Sequence, residues 1–103
     1  MGQSFVDQYS LLHFAVGVVS YFWNLSLALA IGLHSLFEWT ENTQQGMSLI
    51  NQLPYWPGGK TRADSLTNIA GDTVAFGVGW LAASILDQIG TNRGWYPSHL
   101  AQK

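Results

Sequence analysis

A long stretch without Asp, Glu, Lys or Arg, residues 9–37, limits the folds that this chain can adopt. As one α-helix its 29 residues would be about 43 Å long, more than the roughly 30 Å hydrocarbon layer of a bilayer. A break is therefore expected at residues 22–26, FWNLS, where interfacial aromatic residues meet Asn and Ser, which cap helices and form turns. We predict helices at about residues 8–23 and 25–45, and one long tilted helix is the alternative.

The rest of the chain predicts one further helix and two polar segments. Residues 46–61, with two prolines and a Gly pair, predict an interfacial loop that includes a short helical turn. The third helix is expected at about residues 62–89, and residues 90–103 form a polar tail. This helix carries small residues at four-residue spacing, a pattern that lets another helix approach closely. These small residues are Gly71, Ala75, Gly79 and Ala83.

The composition favours a membrane protein and excludes several other classes. Charged residues are 10% of the chain, against about 25% in ordinary globular proteins, and aromatic residues reach 14%. A net charge of −2 with four Lys and Arg gives no basic patch for nucleic acid, and the absence of Cys excludes disulfides and thiolate chemistry. The N-terminus lacks the positive region of a signal peptide, so we expect the first apolar run to be retained. We predict a single all-α domain, a polytopic bundle of about three transmembrane helices.

Each predicted helix carries polar side chains on one face. His34, Glu38, Glu41 and Gln45 follow helical spacing in the second helix, as do Asp64, Asn68 and Asp72 in the third. His13 and His34 lie about ten residues on either side of the Asn24 turn, hence at a similar depth of roughly 15 Å. Asp72 lies about equally deep from the other surface. We expect His13, His34 and Asp72 to meet near the midplane, with Glu38 near Asn68 and Glu41 near Asp64.

Such polar side chains should not face lipid, because inserting a charged side chain at the bilayer centre costs at least about 2.5 kcal/mol of free energy. They must face inward, as an interhelical hydrogen-bond network or as a functional site, and both interpretations stay open. For a site, the candidates divide by chemistry. The candidate ligands of a divalent metal ion are His13, His34, Glu38, Asp64 and Asp72. The candidate acid-base groups are Glu41 and Asp72. The candidate contacts to a headgroup or substrate are Asn42, Lys60, Arg62 and Asn68.

Three segments, DQYSLLHFAVG, FEWTENTQ and DSLTNIAGDTVAFGVGW, in this order resemble the VanZ-like group of small integral membrane proteins, most closely an uncharacterised bacterial branch. The resemblance covers roughly residues 7–83 and implies a membrane helical fold without an established reaction. Ala63 stands where that branch has Gly, and members of the group carry at least one more transmembrane helix. His34 comes from the depth argument and not from the family. The positions that match the family are His13, Glu38, Glu41, Asn42, Asp64, Ser65, Asn68, Asp72 and Thr73.

Two functions follow as expectations. The first is an intramembrane polar site that binds a cation or a lipid or polyprenyl headgroup, with hydrolase or phosphotransferase activity as an open question. The second is a structural or accessory subunit, in a larger complex or a homo-oligomer, that uses the small-residue face as a contact. We expect a bacterial-type inner membrane. The positive-inside rule does not determine the orientation, because each side has two basic residues. These are Lys60 and Arg62 on one side and Arg93 and Lys103 on the other.

Overall fold

The computed structural model describes residues 2–57 and 59–99, and within them it contains four α-helices and no strand. The predicted all-α fold is therefore confirmed. Part of the predicted tail, residues 100–103, lies outside the described residues, as does Lys103, which entered the orientation argument. The helices are α1 (Tyr9–Phe22), α2 (Leu27–Glu41), α3 (Gln44–Gln52) and α4 (Leu66–Asn92).

The predicted break between the first two helices is confirmed. Helix α1 ends at Phe22, and Asn24 adopts φ = 65°, a left-handed conformation that Asn tolerates better than most residues. Ser26 then caps α2, because its side chain accepts a hydrogen bond from the backbone N–H of Leu29. The alternative of one long tilted helix is wrong.

Helix α2 is shorter than predicted, and α3 occupies most of the expected loop. Thr43 has an extended backbone, and its side chain accepts the N–H of Gly46, so it caps α3 and separates it from α2. Met47 and Ile50, three residues apart on α3, are buried and dock this short helix. The loop is therefore reduced to the proline-containing stretch after Leu53.

Helix α4 is the longest element and begins four residues later than predicted, where Ser65 caps it by accepting the N–H of Asn68. Among the described helices it alone has the length and apolar character to cross a membrane. With 14 and 15 residues, α1 and α2 rise only about 21–23 Å. The described part of the chain thus has one candidate span where three were predicted.

Glycines set the close packing of α1 and its preceding segment on α4. A Cβ atom on Gly71 would collide with the backbone carbonyl of Phe5, and one on Gly79 with that of Phe14. From the other side, a Cβ on Gly17 would collide with the carbonyl of Phe76. The small-residue face of α4 therefore packs within this chain, as expected of a helix-packing pattern.

Large apolar side chains lie mostly outside and polar ones inside. Leu11, Trp39 and Leu81 are exposed, whereas the largest side chains that are fully buried are those of Glu38 and Asn68. A water-soluble domain has the opposite distribution, because charged groups are almost never fully buried unless they are paired. The molecule thus has a polar interior and an apolar outer surface.

The C-terminal tail is fastened to the end of α4 opposite to the loop. The Asp87 carboxylate accepts the Tyr21 hydroxyl and lies 2.7 Å from Nδ1 of His99. The other ring nitrogen of His99 lies 3.2 Å from Oδ1 of Asn24, in the turn between α1 and α2. These contacts tie the tail, α1 and α4 together.

Candidate functional site

Four side chains from α1, α2 and α4 converge in the interior, and we call them the inner cluster: His13, His34, Glu38 and Asp72. Nε2 of His13 lies 2.9 Å from Oε1 of Glu38 and 3.6 Å from Oδ2 of Asp72. Nε2 of His34, one helical turn before Glu38, lies 3.8 Å from the same Glu38 oxygen. The depth argument thus placed His13, His34 and Asp72 next to one another as the structure does.

The hydrogen bonds of His13 define what its ring presents to the carboxylates. Its Nδ1 lies 2.8 Å from the carbonyl oxygen of Tyr9, which can only accept, so Nδ1 carries a proton. Nε2 faces Glu38 at hydrogen-bond distance, so the pair must share a second proton between ring and carboxyl group. A metal-ligating histidine has the same arrangement, with one nitrogen fixed by a carbonyl and the other turned to the ion.

Two buried atoms of the inner cluster have no hydrogen-bond partner among the described residues: Nε2 of His34 and Oδ1 of Asp72. The His34 ring is held by stacking on Phe76, with centroids 4.7 Å apart, and it meets the His13 ring edge-on. An unsatisfied buried polar atom costs about 1–3 kcal/mol. Two of them in one cluster indicate that something absent from the chain itself satisfies them.

The geometry of the inner cluster suits a metal ion. His13, His34 and Glu38 each offer one ligand atom, and these atoms lie within 4.8 Å of one another. Tetrahedral zinc with bonds of about 2.0–2.1 Å needs ligand atoms roughly 3.3 Å apart. The measured separations from Glu38 Oε1, 2.9 and 3.8 Å, lie on either side of that value. Asp72 borders this set through His13 without belonging to it.

A second group, which we call the outer cluster, consists of Glu41, Asn42, Lys60 and Asp64. Lys60 Nζ donates to Glu41 at 2.8 Å, to Asp64 at 2.7 Å and to the Asn42 side-chain oxygen at 3.0 Å. Burial alone would lower the pKa of Lys60, but the hydrogen bonds to Asp64 and Glu41 outweigh it and raise that pKa. Lys60 is therefore a fixed cation.

Asn42 joins the two clusters. Its NH2 group donates to the backbone carbonyl of Glu38 at 2.7 Å and to Oε2 of the same residue at 3.3 Å. Its oxygen accepts from Lys60 and from the backbone N–H of Asp64. Glu38, Glu41 and Asp64 also form a second set of ligand atoms within 4.8 Å of one another. Asn42 thus helps to hold Lys60 and Asp64 in place. Glu41 and Asp64 lie close together, as predicted, with Lys60 between them.

Of the predicted headgroup contacts, Arg62 lies elsewhere and Asn68, in the cavity lining, is bonded within the fold. Arg62 is exposed and does not line the cavity described below. Asn68 is buried, and its NH2 group donates to the carbonyl of Ser4 and to the Asp7 carboxylate. Asn68 therefore fixes the N-terminal segment to α4 and does not pair with Glu38 in the way expected from depth.

Asp7 is a site residue that the sequence reasoning missed. It accepts backbone N–H groups of Gly2 and Tyr9 as well as the Asn68 amide. Burial would raise the pKa of Asp7, but these hydrogen bonds outweigh it and lower that pKa. The sequence signal that could have identified Asp7 is its position just before an apolar helix, because Asp is favoured at helix starts.

A cavity of about 440 Å³ runs along both clusters. One side is polar and the other is apolar, formed by Leu12 and Val16 of α1, Phe37 of α2 and the Trp56-Pro57 turn of the loop. The polar lining is supplied by Asp7, Tyr9, His13, His34, Glu41, Lys60, Asp64, Asn68 and Asp72. The arrangement can hold a cation and an amphiphilic molecule beside it.

Comparison of the chain with protein-family models, with curated proteins and with solved structures found no match. The functional argument therefore depends on the chain's own residues.

Proposed function

We propose that the chain is a small integral membrane protein that binds a divalent transition-metal ion, of the zinc type, at His13, His34 and Glu38. The observation that carries the proposal is the unpartnered Nε2 of His34, buried within 4.8 Å of two other potential ligand atoms. Imidazole nitrogens with one carboxylate suit zinc better than magnesium or calcium, which prefer oxygen ligands. His13 has its second-shell partner in the Tyr9 carbonyl.

The membrane location in this proposal is supported by the polar interior and apolar exterior of the molecule. We place α1, α2 and α4 across the bilayer, in a bacterial-type inner membrane. The two shorter helices would then reach the interfaces by locally thinning the bilayer. The resemblance to VanZ-like proteins agrees with this location and remains a proposal based on the order of three motifs.

Three protein ligands leave one position on a tetrahedral ion for water or a substrate, as in catalytic zinc sites. Of the two candidate acid-base groups, Asp72 lies 3.6 Å from the candidate ligand His13, whereas Glu41 is bound to Lys60. Asp72 is therefore the better placed of the two. No observation selects a reaction, so we propose binding and not catalysis.

The alternative function, a structural or accessory subunit, was expected to use the small-residue face of α4 as its contact. Gly71 and Gly79 on that face lie against the Phe5 and Phe14 backbone of the same chain. The remaining exposed apolar surface is explained equally well by lipid. We therefore rank the metal site first.

The test is the metal content of purified protein, measured by elemental analysis after reconstitution with zinc. We expect about one ion per chain in the wild type and a loss in His34→Phe, which keeps an aromatic ring on Phe76 but removes the ligand nitrogen. Glu41→Gln, in the outer cluster, is the matched control and should retain the ion. A wild type that stays metal-free while its helical circular dichroism is intact would refute the proposal.

A further inference from the structure

The cavity beside the two clusters has exposed apolar side chains of both α1 and α2 in its lining, and we take this apolar edge as its opening. Both helices pack mainly against α4 and only sparsely against each other. Leu12 and Val16 on α1 and Phe37 on α2 line the opening and are partly exposed. In a membrane, such an opening faces the acyl chains, so a ligand can enter from the bilayer without passing through water.

The charge of the cavity lining selects the kind of ligand. Its carboxylates are those of Asp7, Glu41, Asp64 and Asp72, and Lys60 is the one Lys or Arg among the described lining residues. Lys60 is already bound to two of those carboxylates, at 2.7 and 2.8 Å. An anionic headgroup would meet uncompensated negative charge, whereas a cationic headgroup is attracted.

One acceptor in this lining lacks a hydrogen-bond donor among the described residues. Oδ1 of Asp72 is buried and unpartnered, and the Asp72 side chain is only 3% exposed. The metal site uses ring nitrogens and Glu38, so it leaves this oxygen free. A ligand that brings an N–H group would satisfy it, and a protonated amine would also neutralise its charge.

We propose that this cleft binds a membrane amphiphile with a protonated amine headgroup. The ammonium group donates to Asp72, and the chain leaves the cleft past Leu12, Val16 and Phe37. Trp56 and Phe37, whose ring centroids are 5.9 Å apart, add apolar surface to the lining along which the chain can pack. The inference shares the membrane location with the proposed function but does not depend on the metal ion.

The experiment uses three photoactivatable probes of equal chain length, an alkylamine, an alcohol and a fatty acid, with the protein in nanodiscs of neutral lipid. Labelled positions are mapped by peptide mass spectrometry, with and without an excess of unlabelled dodecylamine. We expect the amine probe to label the residues of the opening and the excess of dodecylamine to suppress this labelling. The fatty acid probe should label them about tenfold less, because it cannot form the charge-assisted hydrogen bond.

Two substitutions on neighbouring positions of α1 test the location. Leu12→Trp fills the opening and should abolish competable labelling by the amine probe. Leu11→Trp is the matched control, because Leu11 is 76% exposed and lies outside the cavity lining, so labelling should persist. Asp72→Asn, which keeps the shape but removes the charge, should lower amine labelling by about tenfold or more.

Metal content measured on the same samples separates this inference from the proposed function. The Leu12→Trp variant should lose amine labelling but keep the metal ion. A wild type that is metal-free but still shows competable labelling would overturn only the metal site. Fatty acid labelling equal to amine labelling would overturn the amphiphile proposal. Labelling of the cleft no stronger than that of the exposed α4 side chain Leu81 would overturn it as well.

Discussion

His13 and Glu38 face each other across the gap between α1 and α2, with Nε2 and Oε1 2.9 Å apart and the Glu38 side chain only 2% exposed. The two residues are 25 positions apart in the sequence. This contact connects two helices that otherwise touch little, and it compensates a charge that is shielded from solvent.

Removing both partners of this pair should cost less than the sum of the two single removals. His13→Ala leaves the buried Glu38 carboxylate uncompensated, which we expect to lower the free energy of unfolding by about 3–5 kcal/mol. The double variant His13→Ala, Glu38→Ala should cost less than the sum of the single variants. The measurement is unfolding in mixed SDS micelles, with Leu11→Ala as an exposed control. Additivity within about 0.5 kcal/mol would contradict the coupling.

Two helical glycines should respond in opposite ways to the same substitution. Gly79→Ala places a methyl group against the Phe14 carbonyl and forces α1 away from α4, so a loss of about 1–3 kcal/mol is expected. Gly32→Ala meets open space and should gain about 0.5–1 kcal/mol, because alanine favours the helix. Thermal unfolding of both variants in one detergent provides the comparison. Equal effects would show that α1 does not pack on this face.

The inner cluster could be predicted because it depends on regular helices. The spacing of four between His34 and Glu38 fixes a common face, and a constant rise per residue sets His13 and His34 at one depth on either side of Asn24. These quantities follow from the sequence once the turn is located. Thus three of the four helices and the position of the inner cluster were predictable, whereas α3 and the close contact of His13 with Glu38 were not.

The outer cluster and the N-terminal segment depend on irregular backbone, which periodicity does not describe. Lys60 reaches Glu41 because the loop folds back past α3, where the side-chain oxygen of Asn51 accepts the backbone N–H of Lys60 at 2.7 Å. Asp7 reaches Asn68 because the first residues return to the start of α4, where the Gly2 carbonyl accepts the N–H of Ser65. Such non-local contacts carry no repeating sequence signal, so these partners were missed.

The C-terminal tail should detach when Asp87 loses its charge. Asp87→Asn keeps the size of the side chain but weakens its bonds to Tyr21 and His99, since charge-assisted hydrogen bonds are the stronger kind. We expect faster hydrogen exchange in residues 93–99, with exchange in α2 unchanged. Gln88→Ala is the control, because Gln88 is exposed and its amide donates to the Ser84 hydroxyl of the same helix. Unchanged exchange in Asp87→Asn would contradict the fastening role.

The contribution of Lys60 to stability should disappear in alkali. Its pKa in the folded protein is raised above the ordinary value of 10.5, so the ammonium group binds its proton more tightly when folded. The stabilisation is therefore fully present below pH 10.5 and is lost as the pH rises through the higher folded pKa. Lys60→Met lacks this group, so its difference in unfolding temperature from the wild type should be largest near neutral pH and shrink in alkali.

Comparison of the two proteins at each pH removes the effect of tyrosine ionisation, which is common to both. Arg62→Met is the matched control, because Arg62 is a nearby basic residue that is exposed and lies outside the cavity lining. Its difference from the wild type should be small and independent of pH. A difference for Lys60→Met that stays constant with pH would mean that Lys60 acts through packing of its alkyl chain. The carboxylates of Glu41 and Asp64 would then be compensated in another way, and the outer cluster would not depend on a fixed cation.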